Sequence, residues 1–217
     1  MLNTVVVNEN AKVNPVNIVW FHSNAVESGP FLSAGDVEWL NQVDPSIKSG
    51  AFYLRRDQAG LLQSVYFAID DLSDGRAVAA LANKLPAGYY QFTNTQDWSD
   101  ADWMQICIAW IRASYAFKRY KSSTDEVDTV SILSVPENID VNFLQYWQSV
   151  SFEAKDLINT PAEDLTPQHW INRCSTWAEP NAVAISVIEG DDLLAENYPT
   201  VHRVGRGSHN PPALIDM

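Results

Sequence analysis

The feature that most constrains this chain is the alternation of short β-branched or aromatic runs with longer stretches of helical spacing. Thr4–Val7 and Val16–Phe21 read as strands, and Ala34–Val43 as a helix ended by Asp44-Pro45. Ala51–Arg56 and Leu61–Ile69 flank the turn-rich stretch Asp57 to Gly60 and read as a β-hairpin. Asp74–Leu85 is expected as a helix stopped by Pro86, and Gly88–Thr93 as the next strand. Ser99–Tyr120 opens on a capping box, Ser99 with Asp102. It carries Trp103, Ile106, Cys107, Trp110, Ser114 and Phe117 along one helical face. Val127–Ser134 reads as a buried strand, and Ile139–Leu157 as a second long helix carrying Phe143, Tyr146, Trp147, Val150 and Ala154. Strands separated by helices of this length predict an α/β layered fold with a mixed, mostly parallel sheet.

The character changes after Leu157. Asn159-Thr160-Pro161 breaks the helix, because the residue before proline is pushed out of the helical region. Pro167–Glu179 reads as the next helix, Ala182–Ile188 as a parallel-type strand and Asp191–Asn197 as a short helix. Pro211-Pro212 then precedes Ala213–Asp216, the opening of one more strand. A chain that stops as a strand opens reads as part of something longer. Apolar faces around Val183–Ile188 and Ala213–Ile215 are expected to be exposed.

Charge narrows the partners. With 27 acidic against 14 basic side chains the net charge is −13, so a nucleic-acid backbone is repelled and no nucleic-acid partner is expected. The densest cationic cluster, Lys118, Arg119 and Lys121, reads as a helix C-terminus, where the macrodipole favours cations. Cys107 and Cys174 form no CxxC pattern and read as free thiols of a reducing compartment. No stretch approaches the ~20 apolar residues of a membrane span, and the first residues lack the layout of a secretory signal. A soluble cytoplasmic protein without membrane contact is the expectation.

Three segments carry a resemblance. Residues 154–165 read AKDLINTPAEDL, residues 185–216 read ISVIEGDDLLAENYPTVHRVGRGSHNPPALID, and residues 109–120 read AWIRASYAFKRY. In combination they resemble the leucyl, or cytosol, aminopeptidases: the linker, the start of the catalytic domain, and a helix of the N-terminal domain ending in YxFxRY. The resemblance implies an N-terminal α/β sandwich, with a mixed, mostly parallel sheet between helices, over residues 1–150. Over residues 151–217 it implies a linker helix and an incomplete catalytic α/β domain. It also implies a metalloexopeptidase that removes N-terminal residues, often Leu, from peptide substrates. Such an enzyme is a homo-oligomer, a hexamer when intact, with two divalent ions such as manganese, zinc or magnesium. Two metals sharing a water lower its pKa and clamp both the attacking oxygen and the scissile carbonyl.

The family's metal ligands lie in segments resembling GKGVxFDTGGxxxK and NTDAEGR, and neither segment occurs in these 217 residues. No catalytic, cofactor-binding or metal-binding residue is therefore assigned, and the 217 residues alone are expected to be inactive and to carry no cofactor of their own. The competing reading is a stand-alone interaction or oligomerisation module. Some members of the family bind DNA through this domain, which the charge argues against here.

The remaining candidates for chemistry read as structural. His22, His169, His202 and His209 show no metal-ligand spacing. Asp70-Asp71, Glu163-Asp164 and Asp191-Asp192 sit where turns or helix starts favour acids. Gly205-Arg206-Gly207-Ser208 lacks a phosphate-loop frame and reads as a turn, and no GxSxG elbow is present.

Overall fold

The computed structural model describes residues 5–8, 14–26, 31–121 and 130–217. The chain divides into two compact units, residues 1–152 and 153–217. The first is built on a six-stranded sheet of β1 (Val6–Asn8), β2 (Val16–Phe21), β3 (Phe52–Arg56), β4 (Leu62–Ala68), β5 (Gly88–Thr93) and β6 (Ser131–Val135). Their spatial order is β1-β6-β5-β2-β4-β3. Every pairing is parallel except β3 with β4, which are the two arms of the hairpin. This is the mixed, mostly parallel α/β arrangement that the alternating sequence predicts. Of the predicted strand residues, Thr4 and positions 127–129 lie outside the described residues.

Period-two alternation sends the strands' side chains to two separate layers. Phe21, Tyr66 and Ala68 pack with Leu40 of α1 (Ala34–Val43) on one face. Ile18, Trp20, Val65 and Phe67 share the larger core with α2 (Gly75–Lys84) and α3 (Asp100–Ala113). The aromatic content is concentrated in that layer: Trp98 packs on Trp20, Phe92 and Trp103 at ring separations of 5.4, 5.1 and 5.0 Å.

Helix starts follow their caps. Ser33 with Asp36 and Ser99 with Asp102 form reciprocal capping boxes in which aspartate does the work usual for Glu or Gln. Asp36 does more: its Oδ1 accepts the Tyr66 hydroxyl at 2.5 Å and the Arg55 guanidinium at 2.7 Å, tying α1 to β3 and β4. Burial opposes ionisation of Asp36, yet the Tyr66 and Ser33 hydrogen bonds and the Arg55 charge outweigh it and hold the carboxyl below its usual 3.8. A carboxyl depressed in the folded state contributes stability that is present above its unfolded pKa and lost as pH falls through the folded one. Asp36→Ala is therefore expected to cost about 1–3 kcal/mol near neutrality, because Tyr66 and Arg55 lose their acceptor. The gap between variant and wild type should shrink below about pH 4 in urea titrations; a gap constant down to pH 2 would refute the assignment.

One expectation fails in this unit. The helix predicted through Tyr120 ends at Ala113, where the Ser114 hydroxyl turns back to the Ile111 carbonyl at 2.8 Å. Tyr115 instead packs on Phe152, with ring centres 5.2 Å apart. Lys118, Arg119 and Lys121 thus lie beyond a helix end rather than on its last turn. The second long helix, α4 (Val141–Asn159), buries Leu144, Gln148 and Phe152, whereas Phe143, Tyr146 and Val150 are exposed. Trp147, between them, packs against the core.

In residues 153–217, α5 (Pro167–Ala178) starts at a third capping box, Thr166 with His169. It is followed by β7 (Ser186–Glu189), α6 (Asp192–Ala195), α7 (Pro199–Gly205) and β8 (Ala213–Asp216). The strand expected over Ala182–Ile188 as parallel is shorter and antiparallel to β8, with Val187 opposite Ile215. Its first residues are spent capping α5: Ala182 has φ of 54°, and the Val183 amide donates to the Ala178 carbonyl. The apolar residues of β7 and β8 are half-buried by this pairing. α7 was not foreseen.

Candidate functional site

In open α/β sheets, ligands bind outside the carboxyl ends of the strands, where successive helices leave for opposite faces. Here that place lies between β5 and β2, whose following helices α3 and α1 cover opposite faces, and β4 ends beside it. A local clasp occupies it: both Asp70 oxygens accept from Ser23, from its amide and its hydroxyl, each at 2.6 Å. His22 lies edge-on to Trp20 at 5.4 Å, with Nδ1 3.9 Å from Asp70 Oδ1. A serine–histidine–aspartate relay needs imidazole between hydroxyl and carboxylate. In this cluster the hydroxyl donates straight to the carboxylate, so no base is placed to activate it.

The other candidates disperse. His169 Nδ1 lies 2.9 Å from Thr166 Oγ1 in the α5 cap, His202 Nε2 lies 3.0 Å from Asp191, and His209 is exposed. Asp71 accepts the Ser73 hydroxyl and amide, which lower its pKa from 3.8, as expected of a turn residue. Glu163 and Asp192 are exposed, the latter in the first turn of α6. Gly205 closes α7, and Arg206 to Ser208 turn toward β8. Thr160 donates to the Asp156 carbonyl at 2.6 Å as α4 ends. Burial lifts the Cys107 thiol to about 12, which leaves it a core side chain rather than a nucleophile. Among the described residues no three His, Cys, Asp or Glu side chains converge to hold a metal ion.

One concave surface escaped the sequence reading. A groove of about 560 Å³ lies between α2 and α3, lined by Ser73, Arg76, Ala79, Gln105, Ile108 and Arg112, among others. Its two arginines are 36 positions apart in sequence, so no local motif marks them.

Comparison with known proteins gives these features their frame. Residues 32–133 match the model for the M17 aminopeptidase N-terminal domain, and residues 152–217 match that for the cytosol aminopeptidase family catalytic domain. Peptidase B of Pasteurella multocida is 37% identical over 71 residues, which are 29% of this chain and 16% of that protein. The cytosol aminopeptidase structure from Coxiella burnetii superposes with a TM-score of 0.82 at 23% identity, covering 97% of this chain and 45% of that one. The bottromycin maturation enzyme BotP in complex with Mn aligns with a TM-score of 0.66 at 19% identity, over 92% of this chain and 44% of that one. The chain thus spans under half the length of these relatives. No helix among the described residues is long and apolar enough to cross a membrane. With an N-terminal-domain match followed in order by a catalytic-domain match, the chain belongs to the M17, or cytosol aminopeptidase, family.

Proposed function

We propose that this chain supplies the N-terminal domain, residues 1–150, and the linker helix and opening of the catalytic domain, residues 151–217, of a cytoplasmic metal-dependent aminopeptidase. The observation that carries the reading is the succession of the two family matches along one chain. Such an enzyme removes N-terminal residues from peptides with two divalent ions, as a homo-oligomer, a hexamer when intact. The manganese in the BotP complex supports a divalent metal in the whole enzyme. When bound, paired ions supply an activated water and polarise the scissile carbonyl. The residues present do not fit such a centre, since among the described residues no three His, Cys, Asp or Glu side chains converge.

The 217-residue chain by itself is expected to release no product from leucine anilide in the presence of manganese, zinc or magnesium. Metal-dependent turnover abolished by a chelator would overturn that. The alternative reading, a stand-alone interaction module, is favoured instead if the coding sequence beyond codon 217 carries no segment resembling GKGVxFDTGGxxxK.

A further inference from the structure

The groove between α2 and α3 has a chemical character that the peptidase reading does not use. Acids outnumber bases 27 to 14, and arginines with a carboxylate in reach pair with it, as Arg55 does with Asp36 and Arg173 with Glu153. Arg76 and Arg112 line one groove and neither makes a side-chain hydrogen bond or ion pair among the described residues. Of the acids nearest in sequence, Asp74 also lines the groove, so the two arginines outnumber its single carboxylate there. Asp74 Oδ1 accepts the Arg76 and Ala77 amides, and Asp71 Oδ1 accepts from Ser73.

Helix stability does not account for both arginines. Arg112 stands in the last turn of α3, where the macrodipole favours a cation, but Arg76 stands in the first turn of α2, where the macrodipole opposes one. Between them the floor is small and apolar. Gly75, Ala79 and Ala109 present only small side chains along it, and a Cβ on Gly75 would sit in ordinary van der Waals contact, 3.5 Å, with Ala109. Half-buried Ile108 offers an apolar contact, and the exposed Gln105 amide can both donate to and accept from a peptide backbone.

We propose that this groove binds an acidic peptide segment in extended form, with two carboxylates meeting Arg76 and Arg112 and a small apolar side chain between them on Ile108 and Ala109. Paired guanidiniums select carboxylates by forked hydrogen bonds, and the apolar floor distinguishes a peptide from a free oxyanion. The inference stands apart from the peptidase reading, because it is tested by binding to this chain and not by turnover.

The experiment follows the fluorescence anisotropy of a labelled Glu-Ala-Glu-Ala-Glu peptide with the 217-residue protein. Binding should weaken at least tenfold in the Arg76→Gln/Arg112→Gln variant, the loss expected when charge-assisted hydrogen bonds are removed. It should also weaken as salt rises from about 50 to 300 mM, and a lysine-for-glutamate peptide should not bind. Ile108→Asp, which leaves both arginines in place, should abolish binding too, and thermal melts identify any variant that has lost its fold. Equal affinity in the folded arginine variant overturns the proposal. So does displacement of the peptide by equimolar inorganic pyrophosphate, which would make the groove a general oxyanion site.

Discussion

Trp110→Ala is expected to cost about 3–5 kcal/mol, a large share of a domain's whole stability of about 5–15 kcal/mol. Trp110 is completely buried, with its ring 6.4 Å from those of Tyr90 and Phe92. Its indole Nε1 donates to the Ser131 carbonyl at 3.0 Å, while the Ser131 hydroxyl donates to the Ala82 carbonyl at 2.8 Å. One side chain therefore couples α3 to β6, and through Ser131 to α2. Truncation opens a large cavity and strands a buried acceptor. Trp110→Phe keeps most of the volume and loses the donor, so its cost should be about 1–2 kcal/mol. Urea unfolding of both variants separates the two contributions. A loss under about 1 kcal/mol for the alanine variant would show that the core does not depend on this contact.

The second large effect belongs to residues 153–217. A Cβ built on Gly205 would fall 2.2 Å from Cβ and 2.6 Å from Cγ of Pro212, atoms of a rigid ring that cannot turn away. Gly205→Ala must therefore separate the end of α7 from the segment that leads into β8. The cost is expected to reach about 3 kcal/mol, the upper end of overpacking. The Pro212 carbonyl also accepts from Gly190 at the end of β7, so the displacement reaches the strand pair. Amide exchange at Val187, Ile188, Leu214 and Ile215 should accelerate in the variant. Gly207→Ala, where the nearest atom is 4.0 Å away, should leave those rates unchanged. Matching rates in the two variants would remove the basis for the prediction.

Much of the first unit was legible because its signals are local. The turn at Asp57 to Gly60 marked the hairpin, Pro86 marked the stop of α2, and Ser99 with Asp102 marked the start of α3. The misreadings have the opposite cause. Phe117 continues the spacing of α3, and nothing in the sequence between Ala113 and Tyr120 is a helix breaker. Past Ala113 the Ser114 hydroxyl turns back to the Ile111 carbonyl and Tyr115 packs on Phe152, contacts that no local motif marks. The inward face of α4, Leu144, Gln148 and Phe152, is set by distant partners, so the sequence left it unassigned. Val183 and Ile185 have strand composition, yet residues 182 and 183 serve the end of α5. Composition also says nothing of a strand's direction, so β7 was paired the wrong way. The resemblance to the aminopeptidases was legible in its motifs, whereas the paired arginines are neighbours only across two packed helices.

The sheet order carries a consequence for biosynthesis. Val6 pairs with Leu133 and Asn8 with Val135, and the Asn8 amide reaches on to the carbonyls of Pro136 and Ile139. β1 thus has no strand partner until β6, 127 positions further along the chain, has been made. β2, by contrast, receives β4 and then β5 in succession. Assembly is consequently expected to spread outward from the middle of the sheet, with β1 joining late, the slow kind of closure in which distant segments must meet.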